Sequence, residues 1–194
     1  MAANADTRRG RIRIIGGSLR GSRLDVVDAP GLRPTPDRVR ETLFNWLMSV
    51  IDGATCLDLF AGSGALGIEA LSRGAAHVDF VESDRHLAVL LRENLLRLKQ
   101  AASVHCTDAI GFLPTTQMKY DIVFVDPPFD QGLWAPVAQA LESSGRLAPH
   151  AWIYLESVAA TTLQLPSTWV LHRESRAGAV ACALYRRAQA SVKL

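Results

Sequence analysis

Asp126-Pro127-Pro128-Phe129 places a carboxylate, two residues without an N–H and an aromatic ring in one tetrapeptide. It follows the apolar, strand-like run Asp121–Val125, and two prolines cannot continue a strand ladder, so they force a rigid extended exit. Ligands of open α/β sheets bind just beyond such strand ends. The chemistry on offer is the handling of an amine. An exocyclic nitrogen of a nucleic-acid base is a poor nucleophile because its lone pair is delocalised into the ring. Acceptors that hold its N–H bonds can turn the lone pair outward, and the Asp126 carboxylate and Pro127 carbonyl are two such acceptors. Phe129 offers a face on which a flipped base stacks, an interaction of about 1–3 kcal/mol.

A second group lies upstream, in Asp58-Leu59-Phe60-Ala61-Gly62-Ser63-Gly64-Ala65-Leu66-Gly67, where a strand pattern gives way to a helical one. Gly62, Gly64 and Gly67 have the G-x-G-x-x-G spacing, and Glu82 follows Gly62 by 20 residues. Any ribose-binding Rossmann-like domain fits that spacing, a nicotinamide dinucleotide included. Asp58 favours another ligand: a pyrophosphate at this helix N-terminus would meet a carboxylate of like charge. S-adenosylmethionine (SAM) carries a sulfonium and an ammonium instead, for which a carboxylate is a suitable partner. In that reading Glu82 accepts from the ribose hydroxyls and Asp108 reaches the adenine amine; a helix cap is the plain alternative for Asp108.

Positioning these groups requires a sheet. Ala54–Phe60, Val78–Val81, Val104–Cys106, Asp121–Val125 and Trp152–Leu155 read as strands, and segments 64–73, 85–99 and 133–145 between them have apolar residues at helical spacing. Such alternation predicts an α/β fold, a parallel sheet with helices on both faces. Trp169–His172 and Ala179–Tyr185 have no helix-length segment between them and read as an antiparallel hairpin at the sheet edge. Upstream, Arg11–Ile15 and Arg23–Val27 flank a glycine-rich turn, predicting a small arginine-lined β-hairpin. Thr35 then reads as an N-cap with Pro36 at the first helical position. The helix would bury Val39, Leu43, Trp46, Leu47 and Val50 and expose Arg38, Arg40, Glu41 and Asn45.

The 194 residues suffice for one α/β core, and no apolar run approaches the roughly 18 residues of a membrane helix. Without a signal-like start, a cytoplasmic protein is expected. Three cysteines without a Cys-x-x-Cys suggest neither disulfides nor zinc; Cys56 and Cys106 read as small buried hydrophobes. The five histidines show no ligand spacing, so no metal is expected. Residues 1–40 hold nine Arg against four Asp, a local +5 within a total of +2. That asymmetry suggests a polyanion-binding surface built on Arg11, Arg13, Arg20, Arg23, Arg33, Arg38 and Arg40.

These motifs, with Gly16-Gly17-x-x-Arg20-Gly21, Arg33-Pro34-Thr35, Arg38-Val39-Arg40-Glu41-Thr42-Leu43-Phe44-Asn45 and Leu184-Tyr185-Arg186-Arg187, closely resemble the RsmD family of bacterial ribosomal RNA guanine-N2 methyltransferases. The resemblance spans nearly the whole chain. It implies a seven-stranded class I methyltransferase sheet, residues 36–194, preceded by a basic RNA-contacting extension, residues 1–35. It implies SAM as donor, held by Asp58, Phe60, Ala61, Gly62, Gly64, Glu82, Ser83, Asp108 and Ala109, with Asp126, Pro127 and Phe129 at the chemistry. The expected partner is 16S rRNA or the assembling small subunit, met by a monomer. One departure is Arg176-Ala177-Gly178, where the family pattern has lysine first.

Three rival readings compete with this one. A DNA adenine or cytosine amino-methyltransferase would share the Asp126 chemistry but normally needs a target-recognition region, for which this chain has no room. A nicotinamide reductase is disfavoured by Asp58 and by the lack of a Tyr-x-x-x-Lys pattern. A non-catalytic RNA-binding protein would have no need of an intact glycine loop, ribose acid and Asp-Pro-Pro-Phe together.

Overall fold

A computed structural model describes residues 9–27, 36–159 and 161–188. Strands β3 (Thr55–Asp58), β4 (His77–Val81), β5 (Ser103–His105), β6 (Tyr120–Val125) and β7 (Leu147–Val158) run parallel. Strands β8 (Trp169–Ala177) and β9 (Val180–Arg187) form the edge hairpin, β9 lying antiparallel to β7. The order β5-β4-β3-β6-β7-β9-β8 makes seven strands, with β3 at the point where the chain reverses direction across the sheet. A crevice opens between the ends of β3 and β6 at such a switch point.

Alternation along each strand separates two apolar clusters. Cys56, Phe80, Ile122, Phe124 and Tyr154 face α1 (Asp37–Trp46), α2 (Ala65–Ser72) and α3 (Arg85–Arg97). Leu57, Val81, Val123, Val125 and Leu155 face α4 (Ala109–Phe112) and α5 (Trp134–Ser144). The helix α4, with four residues, is too short to declare a period and was not foreseen. Strand β7 starts ahead of its apolar run because Leu147 already pairs with Tyr120, and Pro149 is tolerated there since the ladder with β6 shifts register between Tyr120 and Ile122. Cys106 is exposed, contrary to the buried reading, since β5 is an edge strand that ends at His105.

Strands β1 (Arg9–Arg13) and β2 (Arg23–Val27) pair antiparallel as a separate ribbon. Its inward residues Ile12, Ile14, Leu24 and Val26 join the first cluster, and Arg11, Arg13 and Arg23 alternate to the outer face. Side chains of α2 and α3 fix the ribbon, among them Ser72, whose hydroxyl accepts from Leu19 N at 2.9 Å and donates to the Gly16 carbonyl. The buried Glu69 carboxylate of α2 accepts the N–H groups of Ile15 and Gly16, each at 2.8 Å. Asn94 of α3 pairs with both backbone groups of Asp25. Gly17, at φ +75°, runs so close to the Ser72 carbonyl that a Cβ would stand 1.7 Å from it, so this turn admits only glycine.

Arg40 departs most from expectation. Its side chain is fully buried instead of lying on the exposed helix face, and so it offers nothing to a phosphate. The expected stripe holds, with Val39, Leu43 and Leu47 buried and Trp46 and Val50 packed against the core, but it is widened by Phe44 and by Arg40, which α1 turns inward towards Glu69. The guanidinium donates to Asp37 Oδ1 at 2.6 Å and to the Arg13 carbonyl at 2.9 Å, and lies 3.8 Å from Glu69. Removing one partner of a buried pair leaves the other uncompensated. Arg40→Ala is therefore expected to lower unfolding free energy by about 3 kcal/mol in urea melts, the low end of such losses because Arg73 still holds Glu69 at 2.8 Å. The helix begins one residue later than expected, with Pro36 as N-cap and Asp37 first; Thr35 and Arg33 lie outside the described residues.

Candidate active site

Four carboxylates stand at the C-terminal ends of four neighbouring strands. Asp58 pairs in register with Phe80 on β4 and Phe124 on β6, so it shares their face. Two residues further along that face come Glu82 and Asp126, and Glu156 lies two beyond Tyr154, the register partner of Phe124. From β4 to β7 the row reads Glu82, Asp58, Asp126, Glu156.

Each member has a structural hold. Asp58, 2 % exposed, accepts the Gly67 N–H at 3.0 Å, so it occupies a donor of the first turn of α2. A pyrophosphate there would compete for that donor and meet the carboxylate. Glu82 Oε2 accepts from Gly62 N at 2.8 Å and Oε1 from Asp84 N at 2.7 Å, tying the glycine loop to the end of β4. At Gly67 an added Cβ would stand 2.2 Å from the Phe80 ring, so α2 packs against the sheet only through glycine. Ala61 and Gly64 are buried, and Phe60 and Gly62 half-buried, around the same turn. Ser83 is exposed at its rim. Asp108 caps α4 by accepting from Gly111 N at 2.8 Å, which is the plain reading of that residue, and Ala109 begins the helix, buried.

Two of these carboxyls are pushed upward by burial and by their neighbours' charge. Burial, reinforced by the Glu82 charge, pushes the Asp58 carboxyl up to about 7. Burial, then the charges of Glu156 and Asp58, hold Asp126 well above the usual carboxylate range. Such a row is poised for a cation, and the donor set suits a sulfonium with an ammonium better than a phosphate.

Beyond Asp126, Pro127 is buried while Pro128 and Phe129 are exposed. The Phe129 ring lies 5.8 Å from that of Trp134, whose Nε1 donates to the Glu156 carbonyl at 2.7 Å. The Tyr154 hydroxyl donates to Glu156 Oε1 at 2.8 Å. Sequence reasoning missed Glu156, Tyr154 and Trp134; the signal was an apolar run ending in an acid, as at Asp58, Glu82 and Asp126.

The expected arginines divide. Arg11, Arg13, Arg20, Arg23 and Arg38 are exposed, whereas Arg40 is in the core. Arg11 and Arg13 lie 3.8 Å from Asp25 and Asp37, at exposed sites where such pairs contribute about 0–1 kcal/mol. Arg38 lines a cleft of about 390 Å³ between α1 and the β8–β9 turn, with Arg176 across from it. Among the described residues no group of three or more His, Cys, Asp or Glu is arranged to hold a metal, and no helix is long and apolar enough to cross a membrane.

The strand order, the edge hairpin and the acid-lined switch point define a Rossmann-like fold of the methyltransferase class, and solved structures similar to this chain include ones described as methyltransferases. The chain belongs to the family described as Conserved hypothetical protein 95, the RsmD family, whose profile matches residues 12–186. It is 54% identical over 180 residues to the Ribosomal RNA small subunit methyltransferase D of Escherichia coli strain K12, covering 92% of this chain and 91% of that one. The solved structure of yhhF from Escherichia coli has a TM-score of 0.87 at 52% identity, covering 93% of this chain and all of that one. The T. thermophilus 16S rRNA N2 G1207 methyltransferase (RsmC), solved with AdoMet and guanosine, shares the fold at TM-score 0.65 and 23% identity, over 93% of this chain and 50% of that chain.

Proposed function

We propose that this chain transfers a methyl group from SAM to the exocyclic N2 of a guanine in 16S rRNA of the small ribosomal subunit, acting in the cytoplasm as a monomer. The observation that carries the reading is Asp126, half-buried at the sheet's switch point beside a row of acids that calls for a cation. Relatedness to small-subunit rRNA methyltransferases supports the substrate. Asp58 faces the positive end of SAM. Glu82 spends one acceptor site of each oxygen on backbone, and a carboxylate has about four, so ribose hydroxyls can share it. Asp108 would offer its second oxygen to the adenine amine.

In the transfer, the amine lone pair forms a C–N bond as the C–S bond breaks and its electron pair stays on sulfur. The nitrogen must then shed a proton. With the positive end of SAM beside the row Asp126 ionises; the carboxylate then holds the N–H bonds with the Pro127 carbonyl, and its raised proton affinity suits it to take the proton released afterwards. Phe129 stacks the base, and positioning supplies most of the rate. The test is to supply labelled SAM and small subunits from a strain lacking the gene, then digest the RNA to nucleosides. Label in N2-methylguanosine is expected; label in any other nucleoside rejects the reading.

Residues 1–35 are proposed as the RNA-contacting extension, with the exposed arginines on phosphates. Arg20 and Arg23 carry no ion pair among the described residues. The double variant Arg20→Ala, Arg23→Ala is expected to bind subunits more weakly, its log affinity against log salt being shallower by roughly 1.4–1.8 for two contacts. Its melting temperature and SAM affinity should match wild type. An unchanged salt slope would move the RNA surface elsewhere.

A further inference from the structure

The chemistry above uses three of the four acids in the row and leaves Glu156 without a task. It is 4 % exposed, and register sets it beside the catalytic position: Val125 pairs with Leu155, so Asp126 and Glu156 come next on adjacent parallel strands. Its surroundings hold it in place. Tyr154 donates its hydroxyl to Oε1, and burial with the Glu156 charge holds that hydroxyl firmly protonated. Cys182 is its register partner on β9. The same two residues, Tyr154 and Cys182, line the 390 Å³ cleft that lies between α1 and the β8–β9 turn. Arg38 and Arg176, exposed at the cleft, suit a phosphate. Trp134 joins the Phe129 ring to the backbone of Glu156 itself.

We propose that Glu156 is the specificity-determining residue of this site, accepting the N1–H of guanine while Asp126 holds the neighbouring N2 amine; this rests on the guanine reading above. Guanine presents N1–H and N2–H donors side by side. In adenine and cytosine the exocyclic amine adjoins a bare ring nitrogen, an acceptor that would face a carboxylate with no hydrogen between them. Two adjacent acids therefore match one base and oppose the other two. A site built to pair a buried polar group rejects analogues that leave it unpaired far more strongly than shape alone does.

The test uses 2-aminopurine, which keeps the N2 amine but has a bare N1. Small subunits are reconstituted with rRNA carrying guanine or 2-aminopurine at the mapped methylation position. Single-turnover methyl transfer is measured with wild type and Glu156→Gln. Wild type is expected to favour guanine by at least about tenfold. Glu156→Gln should lose rate on guanine and narrow that preference, because its amide can donate to the bare nitrogen. Equal transfer to both bases by wild type, a result that needs no variant to fold, overturns the proposal. So does an unchanged preference in a folded Glu156→Gln. If wild type forms no N2-methylguanosine even on guanine subunits, the guanine reading has failed and takes this assignment with it; the nucleoside digest tells that failure from the others.

Discussion

Asp126→Ala is expected to slow single-turnover methyl transfer by about 10²–10⁴-fold, the range of a lost general base, while SAM still binds. The affinity should change little, because the groups assigned to SAM are Asp58 and Glu82, and their own hydrogen bonds do not run through Asp126. Asp58, held by the Gly67 N–H, still faces the cofactor's positive end in the variant. Asp126→Asn separates two contributions. Its amide oxygen still accepts one N–H but cannot take up the proton, so a loss smaller than that of alanine is expected. Transfer by the alanine variant at near wild-type rate would remove Asp126 from the chemistry.

The second large effect is on pH. The ordinary aspartate value is near 4, and Asp58 in the folded chain is pushed up to about 7. Below pH 4 folded and unfolded chains both hold the proton. Between 4 and 7 the unfolded chain releases it while the folded chain keeps it, so stability falls as pH rises and levels off above 7. At about 1.4 kcal/mol per unit, the cofactor-free protein should lose about 3 kcal/mol between pH 5 and 7, roughly 6–12 °C in Tm. Asp126, shifted the same way, adds to the fall. Asp79, Asp84 and Glu142 are shifted below the ordinary range, so what they contribute is lost only in more acid solution, outside this window. SAM affinity should rise across the same interval, since a cation binds the ionised row. Melts that are flat from pH 5 to 8, with SAM affinity independent of pH, would overturn this account.

What the sequence discloses is what acts locally. Asp58, the glycine loop, Glu82 and Asp-Pro-Pro-Phe each sit where a strand pattern ends, and period alone reads those strands and the main helices. Arg40 was misplaced because a helical wheel has no knowledge of Glu69, 29 residues away, whose buried charge draws the arginine inward. Glu156 went unread for a related reason. Its importance comes from β7 lying next to β6, and strand order is a property of the folded sheet. The cluster at Asp79 is similar: His77, His105 and Tyr120 converge on it from three strands at 3.2, 2.9 and 2.7 Å, and nothing in their spacing announces it.

The Glu69 anchor has a bearing on how this protein could be re-engineered. The arginine ribbon and the helix behind the glycine loop are joined through Glu69, which takes two backbone N–H groups, through Ser72 and through Arg40. A ribbon transplanted from a relative would arrive without its counterpart in the recipient's helix. A chimera made to exchange RNA preference must therefore graft residues 9–27 together with the Arg40, Glu69 and Ser72 positions as a single cassette, since a splice between them leaves a buried carboxylate facing a foreign turn.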